Sequence, residues 1–98
     1  MKIINKLKFK PKAIVCDIDG VIVDSMPYLK AAKGLKVKPG ECVVIENAPY
    51  GVLSAKRAGM FCIALTSSLP PEYLKRADII ADNFDEISAL VNSKRYYS

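Results

Sequence analysis

The sequence predicts an α/β fold whose core is a parallel sheet of about four strands. Two observations carry this prediction. Four short runs rich in β-branched residues are separated by segments with helical spacing, and strands that alternate with helices in this way form parallel sheets. The chain has 98 residues, of which 51% are hydrophobic, so it is expected to form one domain with a core of its own.

The predicted elements follow one another with turn signals between them. The predicted strands are AIVCDI at 13–18, ECVVIEN at 41–47, MFCIAL at 60–65 and DIIA at 78–81. The predicted helices are 28–35, 51–59, 71–77 and 85–94. Pro27 introduces the first helix, the KPG turn at 38–40 follows it, and Gly59 suits the C-terminal cap of the second. APYG at 48–51 is expected to be a loop, and the tail RYYS is expected to fray.

The formal charge of +5 is concentrated near the start of the chain. Without the five lysines of the first twelve residues the chain would be neutral; they are Lys2, Lys6, Lys8, Lys10 and Lys12. These lysines are either an arm that contacts nucleic-acid phosphates or a solvated extension. We favour the second interpretation, because no aromatic stacking motif accompanies them. The expected organisation is a basic extension at 1–11, a core at 12–92 and a tail at 93–98.

The chain is expected to be a small cytoplasmic protein with no membrane partner. Its apolar runs are too short for a transmembrane helix, and lysines interrupt the apolar residues of the N-terminal MKIINKLKFK, unlike those of a signal peptide. Cys16, Cys42 and Cys62 lie in or beside predicted strands, and the chain has no histidine. Buried, reduced thiols are therefore expected rather than zinc ligands.

Polar side chains follow two of the predicted strands at the point where each strand ends. Asp17 and Asp19 end the first strand, and Glu46 and Asn47 end the second. The carboxyl ends of parallel strands share one edge of the sheet, where open α/β sheets bind ligands. Oxygen ligands of this kind suit Mg²⁺, which would offset the repulsion between a carboxylate and a phosphate. The alternative is that the carboxylates only cap a loop.

Two segments of the chain resemble the haloacid-dehalogenase-like hydrolase superfamily, most closely its β-phosphoglucomutase-like phosphatases. These segments are DIDGVIVDS and ECVVIENAPYGVLSAKRAGMFCIALTSSLPPEYLKRADIIADNFDEI, and the resemblance covers about residues 12–90. It implies a Rossmann-like core of two or three layers and Mg²⁺-dependent phosphoryl transfer from a small phosphorylated metabolite through an aspartyl-phosphate. It also implies that Asp17 is the nucleophile and a metal ligand, and that Asp19 is the general acid/base with its carbonyl on the metal. Glu46 and Asn47 match the second metal-binding pair.

The chain also departs from the pattern of that superfamily. Asn47 stands where an aspartate is common. A cap domain, two core strands, a Ser/Thr phosphate ligand and a lysine have no counterpart, so the chain resembles an internally truncated member. Lys30 and Lys33 lie within the predicted first helix, where they are expected to face solvent, and the hydroxyl residues 66–68 follow the wrong strand.

These departures leave several functions open: a minimal phosphatase, a catalytically impaired core that acts as a binding or assembly module, or an internally deleted or engineered core whose resemblance reflects ancestry alone. They also affect the sheet. The right-handed crossovers of such a core would place every helix on one face of the sheet. The other face and the edge of the first strand are then expected to be bare. A dimer, an exchanged strand or a partner is expected to cover them, and a homo-oligomer is favoured.

Overall fold

The computed structural model describes residues 9–17, 26–88 and 96–97 of the chain. These residues form a parallel five-stranded sheet with the strand order β4-β3-β2-β1-β5. The strands are β1 (Ala13–Asp17), β2 (Cys42–Glu46), β3 (Phe61–Leu65), β4 (Ile79–Ala81) and β5 (Tyr96–Tyr97). The helices are α1 (Met26–Gly34) and α2 (Pro49–Arg57), with 3₁₀ turns at Pro39–Glu41 and Pro71–Leu74. The predicted α/β class and the four predicted strands are confirmed.

Helices α1 and α2 pack on one face of the sheet. Tyr28 and Ala32 from α1 and Val52 and Ala55 from α2 are all at most 2% exposed. They meet alternate residues of β1, β2 and β3, because successive side chains of a strand point to opposite faces. Each helix therefore turns an apolar face towards the sheet.

The second face of the sheet is buried, which contradicts the expectation of a bare face. Ile14, Val43, Ile45 and Ile63 are fully buried, and Ile87, from the segment that follows β4, belongs to the same cluster. On this face Phe9 also packs edge-on against Phe61, with the ring centroids 5.7 Å apart. Apolar residues from the segments before β1 and after β4 thus supply a second layer, which was not predicted from the sequence. The bare face was the reason to expect a homo-oligomer, and the oligomeric state stays a prediction without that support.

The edge of β1 is paired, and the expectation of a bare edge was wrong here as well. Ile14 and Val15 of β1 pair in parallel with Tyr96 and Tyr97, which form β5. The tail was expected to fray, but β-propensity is high for tyrosine, and the edge of β1 offers unpaired backbone groups. Two residues near the end of the chain thus close the side of the sheet that β2 does not occupy.

The turns between the elements account for two smaller differences from what the sequence predicted. Helix α2 begins at Pro49 within the expected APYG loop, because a proline at the first helical position lacks only a donor that would be unbonded anyway. The segment 71–77 forms a short 3₁₀ turn instead of a helix. Gly59 adopts a φ of +80° after α2, which confirms the predicted C-terminal cap. The predicted last helix begins with a described turn at 85–88, where Asn83 Oδ1 accepts a hydrogen bond from the backbone N–H of Glu86 at 3.2 Å.

The predicted buried thiols are confirmed for Cys42 and Cys62, which are fully buried and unbridged, whereas Cys16 is half-buried. Burial raises the pKa of the Cys62 thiol to about 12. Across the described part of the chain, no helix has the length and apolar character that a membrane span requires. Residues 1–8 of the expected basic extension lie outside the described residues, and Lys12, next to its boundary, forms an ion pair with Glu41 at 2.9 Å.

Candidate functional site at the carboxyl edge of the sheet

The first two strands bring Asp17 next to Glu46 at the backbone. Asp17 and Glu46 are the last residues of β1 and β2 and are partners in the register of this parallel pair. Neighbouring strands lie about 4.8 Å apart, so the two predicted metal-binding positions are adjacent at the carboxyl edge. The side chain of Asp17 and the whole of Asp19 lie outside the described residues. Their roles therefore stay predictions.

Glu46 is a buried carboxylate with defined hydrogen-bond donors. Glu46 is 1% exposed. The hydroxyl of Tyr28 donates a hydrogen bond to Glu46 Oε2 at 2.6 Å, and the backbone N–H of Asn47 donates one to Oε1 at 3.0 Å. A carboxylate in an apolar interior is costly unless such bonds compensate for lost water. The two donors hold the carboxylate in one orientation.

Helix α2 begins directly against this carboxylate. A Cβ atom added at Gly51 would overlap the Cδ and Oε2 atoms of Glu46, so only glycine leaves room for the side chain here. Gly51 lies in the first turn of α2, where the helix dipole favours negative charge. The glycine thus allows the positive end of a helix to approach Glu46 closely.

Asn47 connects the β2 end to the loop after β3. The residue is 3% exposed, and its side-chain Nδ2 donates hydrogen bonds to Ser67 Oγ at 3.3 Å and to Ser68 Oγ at 3.2 Å. The sequence analysis set these serines aside because they follow the wrong strand for the phosphate ligand of the superfamily. The order of the sheet shows what was missed: β3 is the neighbour of β2, so the loop after β3 lies at the same carboxyl edge.

Tyr28 is a further residue near the site that the sequence did not point to. Its ring packs against the sheet from the inward face of α1, and its hydroxyl was not considered as a hydrogen-bond donor. A buried tyrosine usually places its hydroxyl on a hydrogen-bond partner, and this general rule was the available signal. The lysines of the same helix, Lys30 and Lys33, are exposed as expected. Lys56 of α2 is held elsewhere, by Asp78 at 2.7 Å.

The oxygen donors at this edge fit Mg²⁺ in their chemistry. Glu46 and Asn47 supply a carboxylate and an amide, and Mg²⁺ takes such ligands together with several waters. Within residues 9–16 and 26–88, no group of three His, Cys, Asp or Glu side chains is placed to hold a metal. Asp17 ends the neighbouring strand β1, and the side chains of the predicted ligands Asp17 and Asp19 lie outside the described residues.

Comparison with known proteins finds relatives that include named phosphatases. The chain is 41% identical over 64 residues to validoxylamine A 7'-phosphate phosphatase of Streptomyces hygroscopicus subsp. limoneus. This match covers 65% of the chain and 30% of that protein. It is 38% identical over 61 residues to hexitol phosphatase A of Escherichia coli, covering 62% of the chain and 28% of that protein. No protein-family model matches the chain.

A solved structure supports the same relationship. The fold is similar to a β-phosphoglucomutase from Clostridium difficile, with a TM-score of 0.58 and 29% sequence identity. The similarity covers 76% of this chain and 34% of that one. The chain thus spans about a third of the length of these relatives.

Proposed function

We propose that the protein transfers a phosphoryl group from a small phosphorylated metabolite. The reason is that the matched part of the chain belongs to the haloacid-dehalogenase-like superfamily. The relatives include two phosphatases, and the similar solved structure is a β-phosphoglucomutase. The observation that carries the proposal is the pairing of Asp17 with Glu46 at the carboxyl edge of the sheet. The pairing supports the proposal because it makes the backbone of Asp17 a direct neighbour of Glu46.

In the proposed reaction, Asp17 attacks the phosphorus atom and the bond from phosphorus to the leaving oxygen breaks. Asp19 gives its proton to that oxygen, which produces an aspartyl-phosphate and the released alcohol. Asp19 then takes a proton from water, whose oxygen attacks the phosphorus and releases inorganic phosphate. Bound Mg²⁺ would neutralise negative charge between the carboxylates and the phosphoryl group.

Asp17, Asp19, Glu46 and Asn47 are the residues we propose to hold Mg²⁺. The side chains of Glu46 and Asn47 are described, and Tyr28 and the backbone of Asn47 orient the Glu46 carboxylate. Partners of this kind fix the direction of a ligand and tune its charge. Asn47 contributes an oxygen without a charge, so the site carries one negative charge fewer than a site with aspartate at this position.

The proposed enzyme is slow. The sequence has no counterpart of the lysine and the Ser/Thr ligand that stabilise the transferring group in the superfamily it resembles. Loss of one preorganised donor costs about 10²–10³ in rate. We place the protein in the cytoplasm, where buried thiols such as Cys42 and Cys62 stay reduced.

Turnover of p-nitrophenyl phosphate tests this proposal. We expect slow hydrolysis that requires Mg²⁺ and is abolished by Asp17→Asn, which keeps the size of the side chain and removes the nucleophile. Asp85→Asn is the matched control, because Asp85 is exposed and lies in the turn at 85–88. Equal turnover by the wild type and Asp17→Asn would overturn the proposal.

A second candidate function is a binding or assembly module with an impaired site. The observation that favours it is the burial of Glu46, whose carboxylate already accepts hydrogen bonds from Tyr28 and Asn47. A carboxylate held in this way would have to exchange internal partners for a metal. A folded wild-type chain with no Mg²⁺-dependent turnover would favour this function over the enzyme.

A further inference from the structure

We propose that the hydroxyl groups of Ser67 and Ser68 bind a phosphate group as a pair of donors that Asn47 holds in place. The inference rests on the proposed function for the identity of its ligand. It assigns a role to two hydroxyl residues that are not among the expected magnesium ligands. The ligand class is a phosphate oxyanion, free or carried by a small molecule.

The direction of the hydrogen bonds supports this role. An amide nitrogen can only donate, so Ser67 Oγ and Ser68 Oγ both act as acceptors towards Asn47 Nδ2, at 3.3 and 3.2 Å. A hydroxyl that accepts in one direction keeps its own proton for donation in another. The contact with Asn47 therefore fixes both serine oxygens and leaves two O–H donors for a further acceptor.

The two serines are exposed, and the residue that they contact is buried. Asn47 is buried, whereas Ser67 and Ser68 are both exposed. The loop is attached to the sheet where the backbone N–H of Thr66 donates to the carbonyl of Ala81 at 3.1 Å. Two hydroxyl donors thus face solvent from a position at the carboxyl edge of the sheet.

The identity of residue 47 decides which way these bonds run. An aspartate at this position would accept, and the serine protons would then be used inside the protein. The amide of Asn47 reverses the two bonds and releases the protons. The residue that weakens the site as a metal site therefore creates a pair of donors beside it. A phosphate group, which presents several strong acceptor oxygens, is the complementary ligand.

Calorimetric titration with inorganic phosphate at constant ionic strength tests the assignment. We expect the wild type to bind phosphate, and we expect Ser67→Ala and Ser68→Ala to weaken the affinity about tenfold each, as the loss of a hydrogen bond to a charged group does. The double variant should bind about 100-fold more weakly if the two effects add. Thr66→Ala is the matched control, because this hydroxyl lies in the same loop but contacts Asp82 at 3.5 Å. It should bind phosphate as the wild type does.

Two results would overturn the inference: a wild type that does not bind phosphate, or a double variant that binds it as tightly as the wild type. Thermal melting of all variants shows whether they stay folded. We expect the double variant to fold but to melt below the wild type, because the buried Asn47 amide loses two hydrogen-bond acceptors. The proposed function fails separately. If Asp17→Asn retains full turnover while phosphate binding depends on the serines, only the enzyme mechanism is wrong. If Asp17→Asn is inactive while the double variant binds phosphate normally, only the serine pair is wrong.

Discussion

The hydroxyl of Tyr28 donates a 2.6 Å hydrogen bond to the carboxylate of Glu46, and both residues are 1% exposed. This bond joins helix α1 to the end of β2. It therefore couples the packing of the helix to the orientation of the carboxylate that we propose as a metal ligand. A tyrosine selected for its apolar ring alone would not need this contact, and phenylalanine would fill the same space.

The first prediction concerns this bond. Tyr28→Phe removes the hydroxyl and leaves the buried carboxylate with one donor fewer, so we expect the free energy of unfolding to fall by about 1.5–3 kcal/mol. Urea denaturation measures the change. Tyr50→Phe is the control, because Tyr50 is 70% exposed, and this change should stay within about 0.5 kcal/mol of the wild type. Equal effects of the two substitutions would show that the bond contributes no stability.

The second prediction concerns the space beside Glu46. Gly51→Ala places a methyl group where the Glu46 carboxylate lies, so the side chain or helix α2 must move. We expect a loss of about 1–3 kcal/mol, the usual cost of overpacking a filled interior. Thermal and urea denaturation measure it.

The control for Gly51 is Gly34→Ala at the end of α1. Nothing lies within 4 Å of a Cβ atom at Gly34, and its φ is not positive. Alanine loses less backbone freedom than glycine on entering a helix, so this variant should be unchanged or up to about 1 kcal/mol more stable. A Gly51→Ala variant as stable as Gly34→Ala would contradict the packing that the structure shows around Glu46.

The third prediction concerns Asp78, which lies just before β4 and contacts α2 and β3. Its Oδ2 accepts hydrogen bonds from Lys56 Nζ at 2.7 Å and from the backbone N–H of Cys62 at 2.8 Å. Asp78→Ala leaves that half-buried backbone donor without its acceptor, so we expect a loss of about 1–3 kcal/mol. Asp82→Ala is the control, because Asp82 is exposed and its contact with Thr66 is long at 3.5 Å. Comparable stability of the two variants in urea would show that Asp78 contributes only a surface charge.

The fourth prediction concerns the reactivity of the Cys62 thiol. Burial, and secondarily the negative charge of Glu46, raises its pKa to about 12, well above that of a free thiol near 8.5. Because the thiolate is the reactive form, at pH 8 only about one molecule in 10⁴ carries it in the folded state. We expect Cys62 to react with a disulfide reagent far more slowly in the native protein than in urea, and more slowly than the half-buried Cys16.

The same shift gives a dependence of stability on pH. The folded state holds the proton of Cys62 more tightly than the unfolded state does. The stabilisation is therefore complete below the pKa that the Cys62 thiol has in the unfolded chain, and it is lost as the pH rises towards 12. Cys62→Ala should show a weaker decline of unfolding free energy above about pH 9. Identical slopes for the wild type and this variant would contradict the burial of the thiol.

The sequence was sufficient to predict four of the five strands and the edge of the sheet at which Glu46 and Asn47 lie. Short runs rich in β-branched residues, such as CVVIE, favour buried strands, and parallel strands bring the residues at their ends to one edge. The details that were missed depend on contacts between distant parts of the chain. Neither the hydroxyl of Tyr28 nor those of Ser67 and Ser68 carry a local pattern that names their partners.

The faces of the sheet show the same limit. Counting crossovers correctly placed α1 and α2 together, but it did not include contributions from segments outside the crossovers. Ile87 and Phe9 belong to the second layer, and Tyr96–Tyr97 pair with β1. Such short contributions are invisible to periodicity, because two or three residues do not make a pattern.

The central claim is that Asp17 accepts a phosphoryl group beside Glu46 and Asn47. Thermal melting with Mg²⁺ and beryllium fluoride, a mimic of the acyl-phosphate, tests this claim most directly. We predict that the two reagents together raise the melting temperature of the wild type and that neither does so alone. We predict no shift for Asp17→Asn. No shift for the wild type, or an equal shift for Asp17→Asn, would contradict the claim.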